Sequence, residues 1–175
     1  MDGDGDLDVV ADSDASISWY ESNGASPPSF TKRSISTSIL MAMQSIAVGD
    51  LDGDSDRDIV ALGACSSMDC PSGTNSQVSV WQYINNGASP PAFSESVVRA
   101  GIHAGMFTDY EQVEVADMNG DGRRDIISTA GSTTRLHRND GGSPPTYTTS
   151  DIVSSTNRGF VLVEDRHDAI DADLL

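Results

Sequence analysis

The chain has 175 residues and a formal net charge of −17, and its length fits one domain with a hydrophobic core. Such a negative charge excludes nucleic-acid binding, because the phosphate backbone requires a basic partner surface. No apolar run approaches the roughly 18 residues that a membrane-spanning helix requires. Aspartate supplies 22 of the 27 acidic residues, and at least half of these lie in short repeated loops. The charge is therefore concentrated in loops.

The first unit begins inside an acidic loop, MDGDGDLD, and continues as three predicted strands. The acidic side chains of this incomplete loop are Asp2, Asp4, Asp6 and Asp8. The segments after it are rich in β-branched and aromatic residues and are bounded by Gly, Pro, Asn and Ser, which indicates strands. These strands are predicted over residues 7–13, 16–22 and 29–36.

The second unit contains a complete copy of the loop, DLDGDSDRD, between predicted strands over 43–50 and 58–64. Its pattern is D-x-[DN]-G-D-x-x-x-D, with oxygen-bearing side chains at positions 1, 3, 5 and 9. These side chains are Asp50, Asp52, Asp54 and Asp58. A further strand is predicted over 78–84, after an insertion that holds two cysteines.

The third unit repeats the complete loop as DMNGDGRRD. Its side chains at positions 1, 3, 5 and 9 are Asp117, Asn119, Asp121 and Asp125. Strands are predicted over 111–117, 125–131, 133–139 and 146–153. The C-terminal segment begins another copy, in which Asp171 takes position 1, Asp173 takes position 3 and Leu174 replaces the glycine.

The spacing of oxygen ligands in these loops predicts a calcium site. Ca²⁺ takes six to eight oxygen ligands and tolerates an irregular cage. Without a cation, each pair of carboxylates roughly 5 Å apart costs about 3 kcal/mol at an effective dielectric near 20. An EF-hand would need a glutamate at position 12, where this chain has Ala61 and Ser128. The ligand set is therefore expected to close at position 9, inside a strand–loop–strand hairpin.

A second repeated segment is a turn rich in glycine and proline. The turns NGASPP, NGASPP and DGGSPP each precede an aromatic residue, and Asn-Gly or Asp-Gly before Pro marks a tight connection. We interpret the aromatics of these segments as packing residues rather than a sugar-stacking platform; they are Trp19, Phe30, Trp81, Phe93 and Tyr147.

Cys65 and Cys70 lack further zinc ligands, so we predict a local disulfide, with a free thiol pair as the alternative.

No segment shows the periodicity of a capped helix, so the predicted fold is all-β. Position-1 acids recur 54–67 residues apart, which fits one four-stranded antiparallel blade of a β-propeller per repeat. We place an incomplete first blade at residues 1–37, a second blade with the cysteine insertion at 38–99, a third blade at 100–153 and the start of another at 154–175. Three blade equivalents are fewer than the four to eight of a closed propeller. We therefore expect a piece of a longer propeller or a protomer that completes one with a neighbour.

The segments DLDGDSDRDIV, DMNGDGRRDII and DGDGDLDVV resemble FG-GAP/VCBS repeats, the blades of integrin-α-like β-propellers. This resemblance implies that Ca²⁺ is bound by the side chains at positions 1, 3, 5 and 9 and by the main-chain carbonyl of position 7. Position 7 is Asp56 in the second loop, Arg123 in the third and Asp6 in the first; an arginine is harmless there if only its carbonyl ligates. Ser55 replaces the glycine usual at position 6, where a positive φ strains other residues.

No catalytic motif is found, so we expect a protein that is not an enzyme. His103, His137 and His167 lie in unrelated polar contexts, which predicts surface positions. Two function classes stay open: a structural or adhesive protein-interaction module, and a glycan-binding propeller. The expected partners are other blades, copies of the chain, or an extracellular protein or glycan. Calcium loops of extracellular affinity and a disulfide together predict an extracellular or cell-surface location.

Overall fold

The computed structural model describes residues 1–13, 16–36, 40–65, 77–104 and 111–154. Within these ranges all regular elements are β-strands, so the predicted all-β class is confirmed. The described ranges also hold no helix of the length and apolarity needed to cross a membrane. Asp171 and Asp173 of the C-terminal loop lie outside them, as does Cys70.

The strands form three antiparallel sheets, in which each strand pairs with its neighbours in the sequence. Blade 1 consists of β1 (Val9–Ser13), β2 (Ser16–Ser22) and β3 (Phe30–Ser36). Blade 2 consists of β4 (Leu40–Gly49), β5 (Asp58–Cys65), β6 (Gln77–Asn85) and β7 (Phe93–Ala104). Blade 3 consists of β8 (Gln112–Ala116), β9 (Asp125–Ala130), β10 (Thr133–Gly141) and β11 (Thr146–Ser154). These sheets confirm the propeller-type blades predicted from the repeats, whereas the boundaries drawn between the units stay predictions.

Blade 2 is buried on both faces, because the pleat of a strand sends successive side chains to opposite sides. In β5, Ile59 and Ala61 join a cluster with Ile17 of blade 1. Val60 and Leu62 point the other way and join a cluster with residues of blade 3. The continuous apolar run after the loop therefore reflects a strand covered from both sides.

The same alternation continues in β6. Trp81 and Tyr83 belong to the cluster between blades 1 and 2, whereas Val80 and Ile84 belong to the cluster between blades 2 and 3. On the blade 3 side, this second cluster is built from Val113, Ile126 and Ala130, with Val115 and Tyr147 packed against it. Each hydrophobic core is thus an interface between blades.

The first strands of blades 2 and 3 approach each other closely. A Cβ atom at Gly49 of β4 would lie 2.7 Å from Cγ1 of Val115 in β8, so a larger residue would force the strands apart. The main-chain N–H of Val113 also donates to the Ser45 hydroxyl at 3.1 Å.

The packing interpretation of the tryptophans is confirmed. Trp19 is 1% exposed and Trp81 is 4% exposed, so neither offers a ring face to a sugar. Tyr147 packs against the core, and its hydroxyl donates to Gln82 Oε1 across blades at 3.0 Å. The packing interpretation is wrong for Phe30, which is 48% exposed.

Candidate metal-binding loops

The acidic loops occupy equivalent places in their blades. The loop Asp50–Asp58, here called loop 2, joins β4 to β5, and the loop Asp117–Asp125, here called loop 3, joins β8 to β9. Residues 1–8, here called loop 1, lead into β1, which pairs with the strand before the first Asn-Gly turn. The predicted strand–loop–strand arrangement is therefore present in both complete copies.

The aspartate at position 9 anchors each loop to its own blade. Asp58 accepts the main-chain N–H of Leu51 at 2.7 Å and that of Asn85 at 2.8 Å. Asp125 accepts the equivalent groups of Met118 at 3.0 Å and Asn139 at 2.8 Å. Both carboxylates are fully buried.

Loop 1 repeats this arrangement. Asp8 accepts the main-chain N–H of Ser22 at 2.9 Å and contacts the amino group of Met1, which stands at position 2. Each carboxylate oxygen offers two acceptor sites, so these hydrogen bonds leave capacity for a cation.

The charge on Asp58 is poorly compensated by the protein alone. Burial raises the pKa of this carboxyl to about 6, because desolvation disfavours the charged form. The N–H groups of Leu51 and Asn85 oppose this shift, and the neighbouring carboxylates of Asp52 and Asp54 add to it. A bound cation would supply the missing positive charge.

The aspartate at position 1 is surrounded by main-chain donors of its own loop. Asp50 accepts N–H groups from Gly53 at 2.7 Å and Ser55 at 3.1 Å. In loop 3 the equivalent Asp117 accepts three N–H groups, from Gly120, Asp121 and Gly122. The hydrogen bond from Gly122 is the main cause that lowers the pKa of Asp117.

Positions 3 and 5 form local side-chain turns, in which the carboxylate or amide oxygen accepts the N–H two residues on. In loop 2 these bonds run from Asp54 N to Asp52 and from Asp56 N to Asp54. In loop 3 they run to Asn119 and Asp121, and in loop 1 they run to Asp2 and Asp4. All three loops therefore share the same backbone conformation at these positions.

Oxygen atoms of Asp50, Asp52 and Asp58 lie within 4.8 Å of one another. Ligands placed 2.3–2.6 Å from one Ca²⁺ ion have separations of this order, so these three side chains fit such an ion. Asp54 is not part of the group, and the aspartates of loop 3 form no comparable group. The structure thus brings together three of the four side chains predicted for loop 2.

The side chain at position 7 faces the Asn-Gly turn of its own blade. A Cβ atom at Gly87 would lie 2.1 Å from Oδ2 of Asp56, and one at Gly24 would lie 2.3 Å from Oδ2 of Asp6. This approach, together with a φ of +64° at Gly87 and +61° at Gly24, accounts for the glycine in the turn.

The side chain of Arg123, at position 7 of loop 3, makes two contacts that the sequence did not predict. Its guanidinium forms a salt bridge with Asp121, a predicted ligand, and its Nε donates to the main-chain oxygen of Asn139 at 3.0 Å. Asn119 also donates to Oδ2 of Asp121 at 3.0 Å, the oxygen that pairs with the guanidinium. Loop 3 therefore carries an internal counter-charge.

Sequence reasoning missed Asn85, the last residue of β6, and Asn139, which lies two residues before the end of β10. Both are buried, and the side-chain nitrogen of each donates to a carbonyl in the preceding blade, at Met1 and Leu51 respectively. The aligned turns YINNG and LHRNDG hold this signal, since both have an asparagine where the first copy, YESNG, has Ser22.

One histidine prediction is wrong. His137 is fully buried in blade 3, where its ring nitrogens contact the hydroxyls of Ser128 at 2.8 Å and Thr149 at 2.9 Å. Burial lowers its pKa to about 4, with Arg135 and Arg99 adding to the shift. The hydroxyl partners allow a polar ring to be buried, and polar neighbours in the sequence do not reveal them.

Propeller-like blades with an acidic loop between the first and second strands define a class of repeat protein used for protein interaction. The family model described as an FG-GAP-like repeat matches residues 1–61. Over these residues, the match confirms the resemblance inferred from the loops. The matched span covers blade 1 and loop 2. No curated protein and no solved structure matches the chain.

Proposed function

We propose that this chain is a calcium-binding propeller segment that serves as a structural or adhesive protein-interaction module outside the cell or on its surface. The observation that carries the proposal is the group of carboxylate oxygens of Asp50, Asp52 and Asp58 within 4.8 Å of one another. Three carboxylates at this distance repel one another strongly unless a cation lies between them. Hard oxygen ligands select Ca²⁺ or Mg²⁺, and an irregular loop suits Ca²⁺ better.

The role of the ion in this proposal is to stiffen the loop that joins two strands. Calcium would offset the repulsion in loop 2 and fix the peptide groups that now depend on side-chain turns. A stiff loop holds blade 2 in register with its neighbours and keeps the surrounding surface in one conformation for a partner. The proposal includes no catalytic step.

Thermal melts test the calcium part directly. The wild-type chain and an Asp50→Ala/Asp117→Ala variant are melted in calcium and in chelator. We expect dissociation constants around 10⁻⁴–10⁻³ M and a stabilisation near 2.7 kcal/mol per independent site at a hundredfold excess of calcium over that constant. An unchanged wild-type midpoint, or an equal response in the variant, would refute calcium binding at these loops.

A disulfide between Cys65 and Cys70 would support the extracellular part, and it stays a prediction because Cys70 lies outside the described residues. So short a ring contributes at most about 2 kcal/mol, since the entropy of closure grows with ring size. Two free thiols in a non-reduced digest, measured by mass spectrometry, would remove this support.

A glycan-binding role receives less support from the structure. Trp19 and Trp81, the largest aromatic side chains of the turn repeats, are buried, so a sugar would have to stack on another residue such as Phe30. A glycan array probed with the wild-type chain and a Phe30→Ala variant separates the two classes. Sugar binding that the variant loses would favour the glycan class.

A further inference from the structure

The peptide groups around Leu51 are held by two different blades. The Leu51 N–H donates to Asp58 of blade 2 at 2.7 Å, and the Leu51 carbonyl accepts the side-chain nitrogen of Asn139 from blade 3 at 2.7 Å. Both hydrogen bonds are buried, and Leu51 is 1% exposed. Leu51 stands between Asp50 and Asp52, so the directions of these two candidate ligands depend on how its peptides are held.

Asn139 also belongs to the loop of its own blade. Its main-chain N–H donates to Asp125, its side-chain nitrogen donates a second bond to the Arg124 carbonyl at 3.0 Å, and its Oδ1 accepts the Gly141 N–H at 2.8 Å. The residue is fully buried. It therefore ties loop 2 to loop 3.

The same connection occurs one blade earlier. The side-chain nitrogen of Asn85 donates to the carbonyl of Met1 at 3.0 Å and to that of Arg57 at 3.3 Å, and its Oδ1 accepts the Gly87 N–H at 3.1 Å. Met1 and Leu51 both stand at position 2 of their loops. The hydrogen bond from the asparagine to position 2 of the preceding loop is therefore repeated in two blades.

Ser22 of blade 1, at the position equivalent to Asn85 and Asn139, makes only the hydrogen bonds within its own blade. Its N–H donates to Asp8, and its hydroxyl accepts the Gly24 N–H at 3.2 Å. A serine at this position thus keeps the bonds within a blade, but it has no amide group to donate to a second loop.

A second group from blade 3 reaches loop 2. The hydroxyl of Ser143, in the turn after β10, donates to Oδ2 of Asp52 at 2.9 Å. One predicted ligand of loop 2 is therefore fixed directly by the neighbouring blade.

We propose that Asn139 and Ser143 are positioning residues for the candidate calcium loop of blade 2, so that docking of blade 3 sets the affinity of loop 2. The inference rests on the proposed calcium binding. A ligand set that is already ordered binds more tightly, because less conformational freedom is lost on binding. By linkage, an ion in loop 2 strengthens the docking of blade 3 by the same factor.

The test measures amide hydrogen exchange in the whole chain over a calcium titration. The exchange is read from the proteolytic fragment that spans loop 2, so it gives the calcium affinity of this loop alone. Asn139→Ser introduces the residue that blade 1 already uses. Asp140→Asn is the matched control, because Asp140 bonds Arg138 and Thr148 within blade 3 and because asparagine occupies this position in the other two turns. Ser143→Ala removes one exposed hydroxyl and does not endanger folding.

We expect Asn139→Ser to weaken calcium binding at loop 2 about fivefold and Ser143→Ala to weaken it about twofold, because each variant loses one hydrogen bond to loop 2 and Asn139→Ser also loses the bond to the Arg124 carbonyl within blade 3. Asp140→Asn should leave the affinity unchanged. In chelator, Asn139→Ser should also speed exchange of the loop 2 amides. Should Asn139→Ser fail to fold, Ser143→Ala decides.

Equal affinity and equal exchange in the wild type, Asn139→Ser and Ser143→Ala would overturn the inference. An equal loss in Asp140→Asn would also overturn it, because the effect would then come from the turn in general. If the wild type binds no calcium, the proposed function fails, and exchange in chelator decides the positioning role: faster exchange in Asn139→Ser supports it and unchanged exchange refutes it.

Discussion

Loop 2 and loop 3 share a sequence pattern and a place in their blades, but they differ in how their charge is compensated. Loop 2 has five aspartates and one arginine, whereas loop 3 has three aspartates and two arginines. In loop 3 the side chain of Arg123 pairs with Asp121. In loop 2 the equivalent Asp56 adds negative charge and packs against the turn.

The surroundings of the two loops also differ. Leu51 is buried beneath blade 3, whereas the equivalent Met118, which no further blade among the described residues covers, is 45% exposed. Two loops that match one motif can thus depend on a metal to different degrees. Neighbouring side chains decide this, and a ligand pattern alone does not.

The largest expected difference is between Asp50→Ala and Asp117→Ala. In calcium, Asp50→Ala should remove up to the 2.7 kcal/mol or so that one saturated site supplies, and Asp117→Ala should remove less. In chelator the order should reverse, because Asp117 accepts three main-chain N–H groups whereas Asp50 lies among other carboxylates. Urea unfolding under both conditions measures this, and an identical order in both would contradict it.

The second prediction concerns pH. The pKa of Asp58 is raised to about 6 from an ordinary value of 3.8, so the folded state holds this proton more tightly than the unfolded state does. In chelator, the contribution of this group to stability should fall as pH rises from about 4 to about 6. Calcium must displace the proton, so the affinity of loop 2 should fall about tenfold per pH unit below 6.

Calorimetric titration at pH 6 in two buffers of different ionisation heat checks the pH prediction. Roughly half a proton should be released per calcium bound at loop 2. Identical heats in the two buffers would mean that Asp58 is not titrated by the ion.

The third prediction exchanges the residues at position 7. Arg123→Gln frees Asp121 and should raise the calcium affinity of loop 3 roughly two- to fivefold, the range expected for one exposed ion pair. The reciprocal Asp56→Arg should lower the affinity of loop 2 by a similar factor. Calorimetric titration of both variants measures the two calcium affinities. If they do not change in opposite directions, the residue at position 7 does not set the difference between the loops.

The smallest expected effect is at position 6. Ser55 has a φ of +77°, whereas the equivalent Gly122 has a φ of +86°, and a side chain in this region is strained. Ser55→Gly should stabilise the chain by about 0.5 kcal/mol, since relief of strain is partly offset by the flexibility of glycine when unfolded. Gly122→Ser should have the opposite effect in urea unfolding. A loss of stability in Ser55→Gly would contradict this account.

The sequence predicted the features that rest on local pattern. The all-β class, the strands around each loop and the strain at Ser55 follow from alternation, turn residues and aligned repeats. The group of Asp50, Asp52 and Asp58 follows from ligand spacing.

The features that were missed depend on side-chain direction across longer distances. The aligned turns showed the asparagine at position 139, but its partner Leu51 lies 88 residues away. The salt bridge of Arg123 depends on where a long side chain points once its carbonyl is fixed. Likewise, the burial of His137 depends on hydroxyls that come from β9 and β11.

The alternation of β5 between two interfaces has a consequence for how the repeat can change over time. Ile59 and Ala61 serve one interface while Val60 and Leu62 serve the other, so compensating substitutions should occur at every second position. An inserted residue within β5 would exchange the two sets, presenting to blade 1 the side chains that are shaped for blade 3. Lineages carrying such repeats should therefore accumulate length changes in the connections and almost none within this strand.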